Sequence, residues 1–189
     1  MREWHNMEYF DIVDEDGKPT GAVVSRETAH KDGIPHRTAH VWIVRKTEKG
    51  YDILMQKRSL NKDSFPGMYD TSSAGHIRAG DEPAASAIRE LEEELGVKAE
   101  ASQLLYIGKF HGGYSKEFHG RMFRDNEIPY VFLYQGTVDI DQLSLQEDEV
   151  DEVRWFDLDM VWNEIQHSRE RFCVPTEGLE ILRRHLMKQ

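Results

Sequence analysis

The stretch "GHIRAGDEPAASAIRELEEELGV", residues 75–97, constrains this chain more than any other. It carries six acidic side chains, four of them between Glu90 and Glu94. At 100° per residue, Ala84, Ala87, Ile88, Leu91 and Leu95 form one apolar stripe, while Glu90, Glu93 and Glu94 fall on an adjoining arc of about 100°. Asp81 can cap the helix, Pro83 suits its first turn and Gly96 stops it. The pattern predicts an amphipathic helix with one face on a core and three carboxylates projecting beside it. Like charges at this spacing oppose helix formation by about 0.2–0.5 kcal/mol per pair. Either a solvated face absorbs that cost, or a cation binds there. Hard dications such as Mg²⁺ take oxygen ligands of this kind, completed by water and substrate phosphates.

The rest of the chain alternates strands and helices. "EYFDIV" and "GAVVSR" flank a turn-rich segment and read as a hairpin, followed by a short helix over "RETAHKD" that Gly33 and Pro35 end. "AHVWIVRK" and "YDILMQKR" read as a second hairpin, and "MYDTSSAGHI" as a strand leading into the acidic helix. A strand at "QLLYIGKF" precedes a long polar loop holding Gly112, Gly113 and Gly120, then strands at "IPYVFLYQGTV" and "EVRWFDL". Helices at "DMVWNEIQHS" and "TEGLEILRRHLMK" finish the pattern. Strands interleaved with helices, several joined as hairpins, predict an α/β fold with a mixed β-sheet covered by helices. No linker divides the chain, so residues 1–189 read as a single domain, with residues 1–35 packed on it.

Length and charge narrow the partners. The chain has 189 residues, enough for a sizeable core, and a formal net charge of −11. That sign argues against a nucleic-acid polymer or an anionic membrane surface as partner. A phosphate-bearing substrate is repelled at long range as well, and needs cations supplied locally. Cys173 is the single cysteine, no apolar stretch suits a signal peptide, and no apolar run of about 18 residues spans a bilayer. The expected location is cytoplasmic. Oligomeric state is not legible, and a homodimer is compatible with the sequence.

The acidic stretch resembles the Nudix box: Gly, five residues, Glu, seven residues, then Arg-Glu-apolar-any-Glu-Glu-any-Gly-apolar. Gly75, Arg89, Glu90, Leu91, Glu93, Glu94, Gly96 and Val97 match at the required intervals. Six strict identities at roughly 6–7% each coincide by chance at about one position in ten million, which decides between the two readings of the helix. Asp81 stands where the pattern has Glu, keeping the acid one methylene shorter. The resemblance implies a Nudix-type α/β/α sandwich and a hydrolase of nucleoside diphosphate-linked or related diphosphates, acting through water attack on phosphorus with Mg²⁺ or Mn²⁺. By the family pattern Glu90, Glu93 and Glu94 ligate metal, the Gly75 carbonyl adds an oxygen, and Arg89 orients a carboxylate.

A second resemblance runs from His30 to Glu127. "HRTAHVWIV", "LMQKRSLNKDSFPGMYDTSSAGH" and "DNEIPYVF" look like the isopentenyl-diphosphate isomerase branch. That branch implies a metal held by positions matching His36, His76 and Glu127, with His30 one residue off the spacing. In a hydrolase His36 can face substrate instead. The basic pair Arg58 and Lys62 is implied to grip the diphosphate. The isomerase needs a cysteine just before Gly-His, and here that position is Ala74. The intact box and the missing thiol favour hydrolysis over isomerisation, and three retained glutamates argue against a non-catalytic binding module. Outside the family argument, the histidines can simply satisfy backbone groups and the lysine can be a solvated charge. Glu149, in the charge run "QEDEVDEV", rivals Glu127 as late acidic ligand or base. Substrate choice is expected in "GGYSKEFHGRMFRDN" and the N-terminal segment.

Overall fold

The structure is a computed structural model in which residues 8–188 are described; the first seven residues of the N-terminal segment lie outside that range. Strands β1 (Tyr9–Val13) and β2 (Pro19–Ser25) form the expected antiparallel hairpin, with Phe10 opposite Val24. Helix α1 (Arg26–Asp32) follows directly, capped by the Ser25 hydroxyl, which accepts from the Thr28 backbone N–H at 3.3 Å. Gly33 ends it in the left-handed conformation, φ 69°.

The main sheet has eight strands: β3 (His36–Thr47), β4 (Gly50–Arg58), β5 (Tyr69–Asp70), β6 (Ser73–His76), β7 (Leu104–Lys109), β8 (Gly112–Phe118), β9 (Arg121–Tyr134) and β10 (Val150–Asp157). Its spine runs β10-β4-β3-β9-β7; β3 and β9 are parallel and the other pairs antiparallel, so the sheet is mixed. Helix α2 (Pro83–Leu95) covers one face, and α3 (Leu158–His167) and α4 (Thr176–Leu186) cover the other. The period-two alternation of the strands sorts their side chains between the two faces. Val41, Ile43, Leu54 and Phe132 pack with Leu91 and Leu95 of α2. Trp42, Ile53, Met55, Val131 and Leu133 pack with Val161, Ile165, Leu179 and Leu182. This is the expected α/β/α sandwich.

β3 and β4 stay paired only from Val44–Thr47 to Gly50–Ile53. Below that they part, and β5 and β6 fill the gap, β6 on β3 and β5 on β4. Ser72 bridges the fork: its hydroxyl accepts from the Ile43 N–H at 2.8 Å and donates to the Leu54 carbonyl at 2.5 Å. Backbone groups orphaned by the split are thereby satisfied.

Three expectations change. The single strand expected over "MYDTSSAGHI" is broken at Thr71 and Ser72 into β5 and β6, because its two halves pair with different strands of the fork. The cap position of α2 is Glu82, whose side chain makes no capping bond; the Asp81 carbonyl instead accepts from Arg37 Nη2 at 3.2 Å. The polar stretch after β7 is a hairpin, β8 against β9, turned at His119 and Gly120 with φ of 50° and 74°. Its charged composition reflects a ladder that runs beyond the core. Tyr114, Phe118 and Phe123 nevertheless share one aromatic cluster with Phe65 of the β4–β5 connection.

Candidate active site

The fork in the sheet opens onto a pocket of about 580 Å³. Gly75, His76, Arg89, Glu90, Glu93, Glu94, Arg58, Lys62, Glu127 and Glu149 line it. Of the residues given a catalytic, substrate or metal role from the sequence, His36 alone is not at its surface; it is fully buried behind it.

The carboxylates of α2 face very different surroundings. Glu93 is 46% exposed at the mouth and accepts from Arg89 Nη1 at 3.0 Å. Glu94 is buried, one helical step further in, and its Oε2 accepts three hydrogen bonds: Ser73 Oγ at 2.7 Å, Gln56 Nε2 at 3.2 Å and the Ala74 N–H at 3.2 Å. Burial and the neighbouring Glu90 charge push its pKa up to about 8, against those hydrogen bonds. Glu90 is raised as well, chiefly by burial, and Arg89 Nη1 pairs with it at 2.7 Å. Arg89 Nη2 donates to the His76 carbonyl at 3.0 Å, tying the helix to β6. The carboxylate of Glu90 lies directly on the Gly75 backbone, in space that any side chain at 75 would fill. A side chain there would push the Glu90 carboxylate away, so glycine keeps the close approach of acid and main chain.

A second cluster adjoins the first through the Gly75–His76 step. Single ligand atoms of His30, His36, His76 and Glu127 all lie within 4.8 Å of one another. The Nδ1 atoms of His30 and His36 face the carbonyls of Arg26 (3.0 Å) and Ile34 (2.8 Å). A carbonyl only accepts, so each Nδ1 carries the proton and each Nε2 presents a lone pair inward. Burial keeps the three rings neutral: His30 falls to about 3, His36 is lowered and His76 lies well below the usual range. Nε2 of His36 is buried with no hydrogen-bond partner. It sits 3.8 Å from Glu127 Oε1, which is also 3.6 Å from His76 Nε2. Phe10 stacks against His36 and His76, with ring centroids 4.9 and 4.5 Å away, and Phe123 against His30 at 4.3 Å.

Neutral imidazoles and crowded buried carboxylates form the donor set a dication neutralises, so both groups fit metal ions. The basic pair is less free than its sequence suggests. Arg58 donates to Asp70 Oδ2 (3.1 Å), the Ser64 carbonyl (2.9 Å) and Ser64 Oγ (3.1 Å), and Lys62 pairs with Glu149. Arg58 keeps two of its five N–H donors for another ligand. Sequence reasoning missed Asp125, whose Oδ1 lies 3.7 Å from His30 Nε2 and whose pKa rises to about 6 through burial. Its position two residues before Glu127 on one strand was the available signal, since i and i+2 share a face. It also missed Arg26 and Arg78, which line the pocket and pair with Glu8 at 2.7 and 3.6 Å.

Comparison with known proteins agrees with this geometry. The NUDIX domain family model matches residues 34–174. An uncharacterised Nudix hydrolase of Clostridium acetobutylicum is 38% identical over 143 residues, spanning 76% of this chain and 66% of that protein, under two thirds of its length. An isopentenyl-diphosphate Delta-isomerase of Ruegeria pomeroyi is 30% identical over 162 residues, spanning 86% of this chain and 83% of the relative. A crystal structure from Deinococcus radiodurans superposes with TM-score 0.68 at 15% identity, covering 93% of this chain and 98% of the other, and so shares the fold. With Gly75, Arg89, Glu90, Glu93 and Glu94 of its box gathered at one pocket and most of its length matched by the family model, this chain is a member of the Nudix hydrolase family.

Proposed function

We propose that this chain hydrolyses a small-molecule diphosphate, nucleoside-linked or related, with Mg²⁺ or Mn²⁺ held at Glu90, Glu93 and Glu94 and by the Gly75 carbonyl. The observation that carries the reading is the meeting of these glutamates with Arg58 and Lys62 in one pocket. A divalent cation bound there supplies neutralisation of the diphosphate, polarisation of phosphorus and a lowered pKa for the attacking water. The chain's own groups do the rest. Arg89 fixes the directions of Glu90 and Glu93. Arg58 and Lys62 offer charged hydrogen bonds to phosphate oxygens, Lys62 by exchanging Glu149 for substrate. Glu127 belongs with His30, His36 and His76 and is assigned to that metal group. Glu149, freed from Lys62 when phosphate arrives, is the residue we assign to receive the proton of the attacking water. The histidine cluster resembles that of the isomerase branch, but Ala74 offers no thiol, so isomerisation is the disfavoured reading.

A panel of nucleotide and prenyl diphosphates, assayed with and without Mg²⁺ or Mn²⁺, tests this. Cation-dependent release of phosphate or a nucleotide with the carbon skeleton unchanged is the expected result. A shifted double bond without phosphate release would instead establish an isomerase.

A further inference from the structure

One wall of the pocket carries a buried polar group, the imidazole of His40, that neither cation binding nor diphosphate binding uses. His40 on β3, Asp70 on β5 and Cys173 before α4 form it, with Thr38 and Tyr114 beside them. His40 is 7% exposed, and its partner across the β3–β6 ladder is Ala74. Opposed residues of an antiparallel pair share a face, so a mere methyl group stands next to the imidazole and leaves room in front of it.

The hydrogen bonding of this wall is ordered. The Thr38 hydroxyl donates to Glu127 Oε2 at 3.1 Å, so His40 Nε2, 3.4 Å from Thr38 Oγ1, is left as the donor to that oxygen. The other ring nitrogen is then an acceptor. Burial lowers the pKa of His40 to about 4, which keeps that lone pair available at neutral pH. Asp70 accepts from Arg58 Nη1 (3.1 Å) and the Thr71 N–H (2.8 Å), and a carboxylate has capacity for more. A hydrocarbon chain laid here strips water from the free nitrogen of His40 and the remaining acceptor capacity of Asp70 and returns no hydrogen bond.

We propose that this wall receives the organic group carried on the diphosphate and selects a polar, hydroxyl-bearing group over a hydrocarbon chain. The inference rests on the diphosphate reading above and adds the class of the attached group. Sites built to bond a substrate hydroxyl reject analogues that lack it, because their own buried groups are then left unpaired.

Calorimetric binding in the presence of Ca²⁺, which keeps turnover out of the measurement, tests it with two probes. These are isopentenyl diphosphate and a dihydroxybutyl diphosphate of similar size, beside inorganic diphosphate as reference. The hydroxylated probe is expected to bind at least about tenfold more tightly. His40→Leu should erase the preference by weakening the hydroxylated probe and strengthening the hydrocarbon one. His40→Gln, which retains a donor and an acceptor, should keep most of it and serves as the second variant if His40→Leu does not fold. Equal or tighter binding of isopentenyl diphosphate by the wild type, or a His40→Leu change that weakens both probes alike, overturns this inference alone. Failure to bind inorganic diphosphate removes the diphosphate reading, and this inference with it.

Discussion

Glu94 shows how far burial beside a second acid can push a carboxyl group. Three hydrogen bonds hold one of its oxygens, yet burial beside Glu90 still raises its pKa to about 8. A carboxyl group whose folded pKa is raised binds protons more tightly when folded, so it loses stability as pH climbs from its unfolded value through its folded one. The buried histidines act oppositely: their lowered values make the fold gain stability as pH rises, and that gain is complete by about 6.5, the unfolded histidine value. Between pH 6.5 and about 8 the carboxyl loss therefore stands uncompensated. Metal-free protein should melt at progressively lower temperature across that window, and Glu94→Gln should flatten the slope; calorimetric melts at several pH values check both. Glu127, also raised well above its usual value, leaves a residual slope in the variant. Arg58 yields a second expectation. Arg58→Ala should weaken apparent substrate affinity by about ten- to a hundredfold, a charged hydrogen bond of roughly 1.5–3 kcal/mol. Mn²⁺ affinity without substrate should change little, because Arg58 touches Asp70 and Ser64 and not the α2 glutamates. Michaelis kinetics beside a Mn²⁺ titration separate the two; an unaltered Michaelis constant would take Arg58 out of phosphate binding.

Elements were legible in proportion to how local their causes are. Helix α2 follows from its apolar stripe, Pro83 and Gly96, all readable within one stretch. Its start was misplaced by one residue because Asp81 and Glu82 are equally acidic, and only the fold shows that Glu82 takes the cap position without a side-chain capping bond. That leaves the first turn uncapped, so Glu82→Ser should add a hydroxyl acceptor and stabilise the protein by about 0.5–1 kcal/mol. Thermal melting should register this as a rise of roughly 1–4 °C; an unchanged or lower midpoint would show the first-turn N–H groups already satisfied. The β8–β9 hairpin was read as loop because Gly112, Gly113 and its charged residues lack a clean apolar alternation. Its order comes from the ladder with β9 and from aromatic contacts to Phe65, nearly fifty positions away from Tyr114.

Across the molecule, the box was legible because its spacing is fixed by one helix and one glycine, whereas the histidine group was legible only through resemblance. His30, His36, His76 and Glu127 come from α1, β3, β6 and β9, and only the sheet topology brings them together. Phe10, which stacks on two of those rings, belongs to a hairpin whose role no local pattern reveals. The pairing of Lys62 with Glu149 was hidden for the same reason. The assembled picture is of an acidic chain, net charge −11, that concentrates buried carboxylates at the pocket where the proposed function puts an anionic substrate. On that proposal the site works only if dications invert its local charge. The most direct test is turnover of a diphosphate substrate by Glu93→Gln and Glu94→Gln at saturating Mg²⁺, with folding verified by circular dichroism. Glutamine keeps the shape and one oxygen but not the charge, so each variant should lose most of its turnover, on the order of a hundredfold or more. Wild-type rates in both variants would contradict the account.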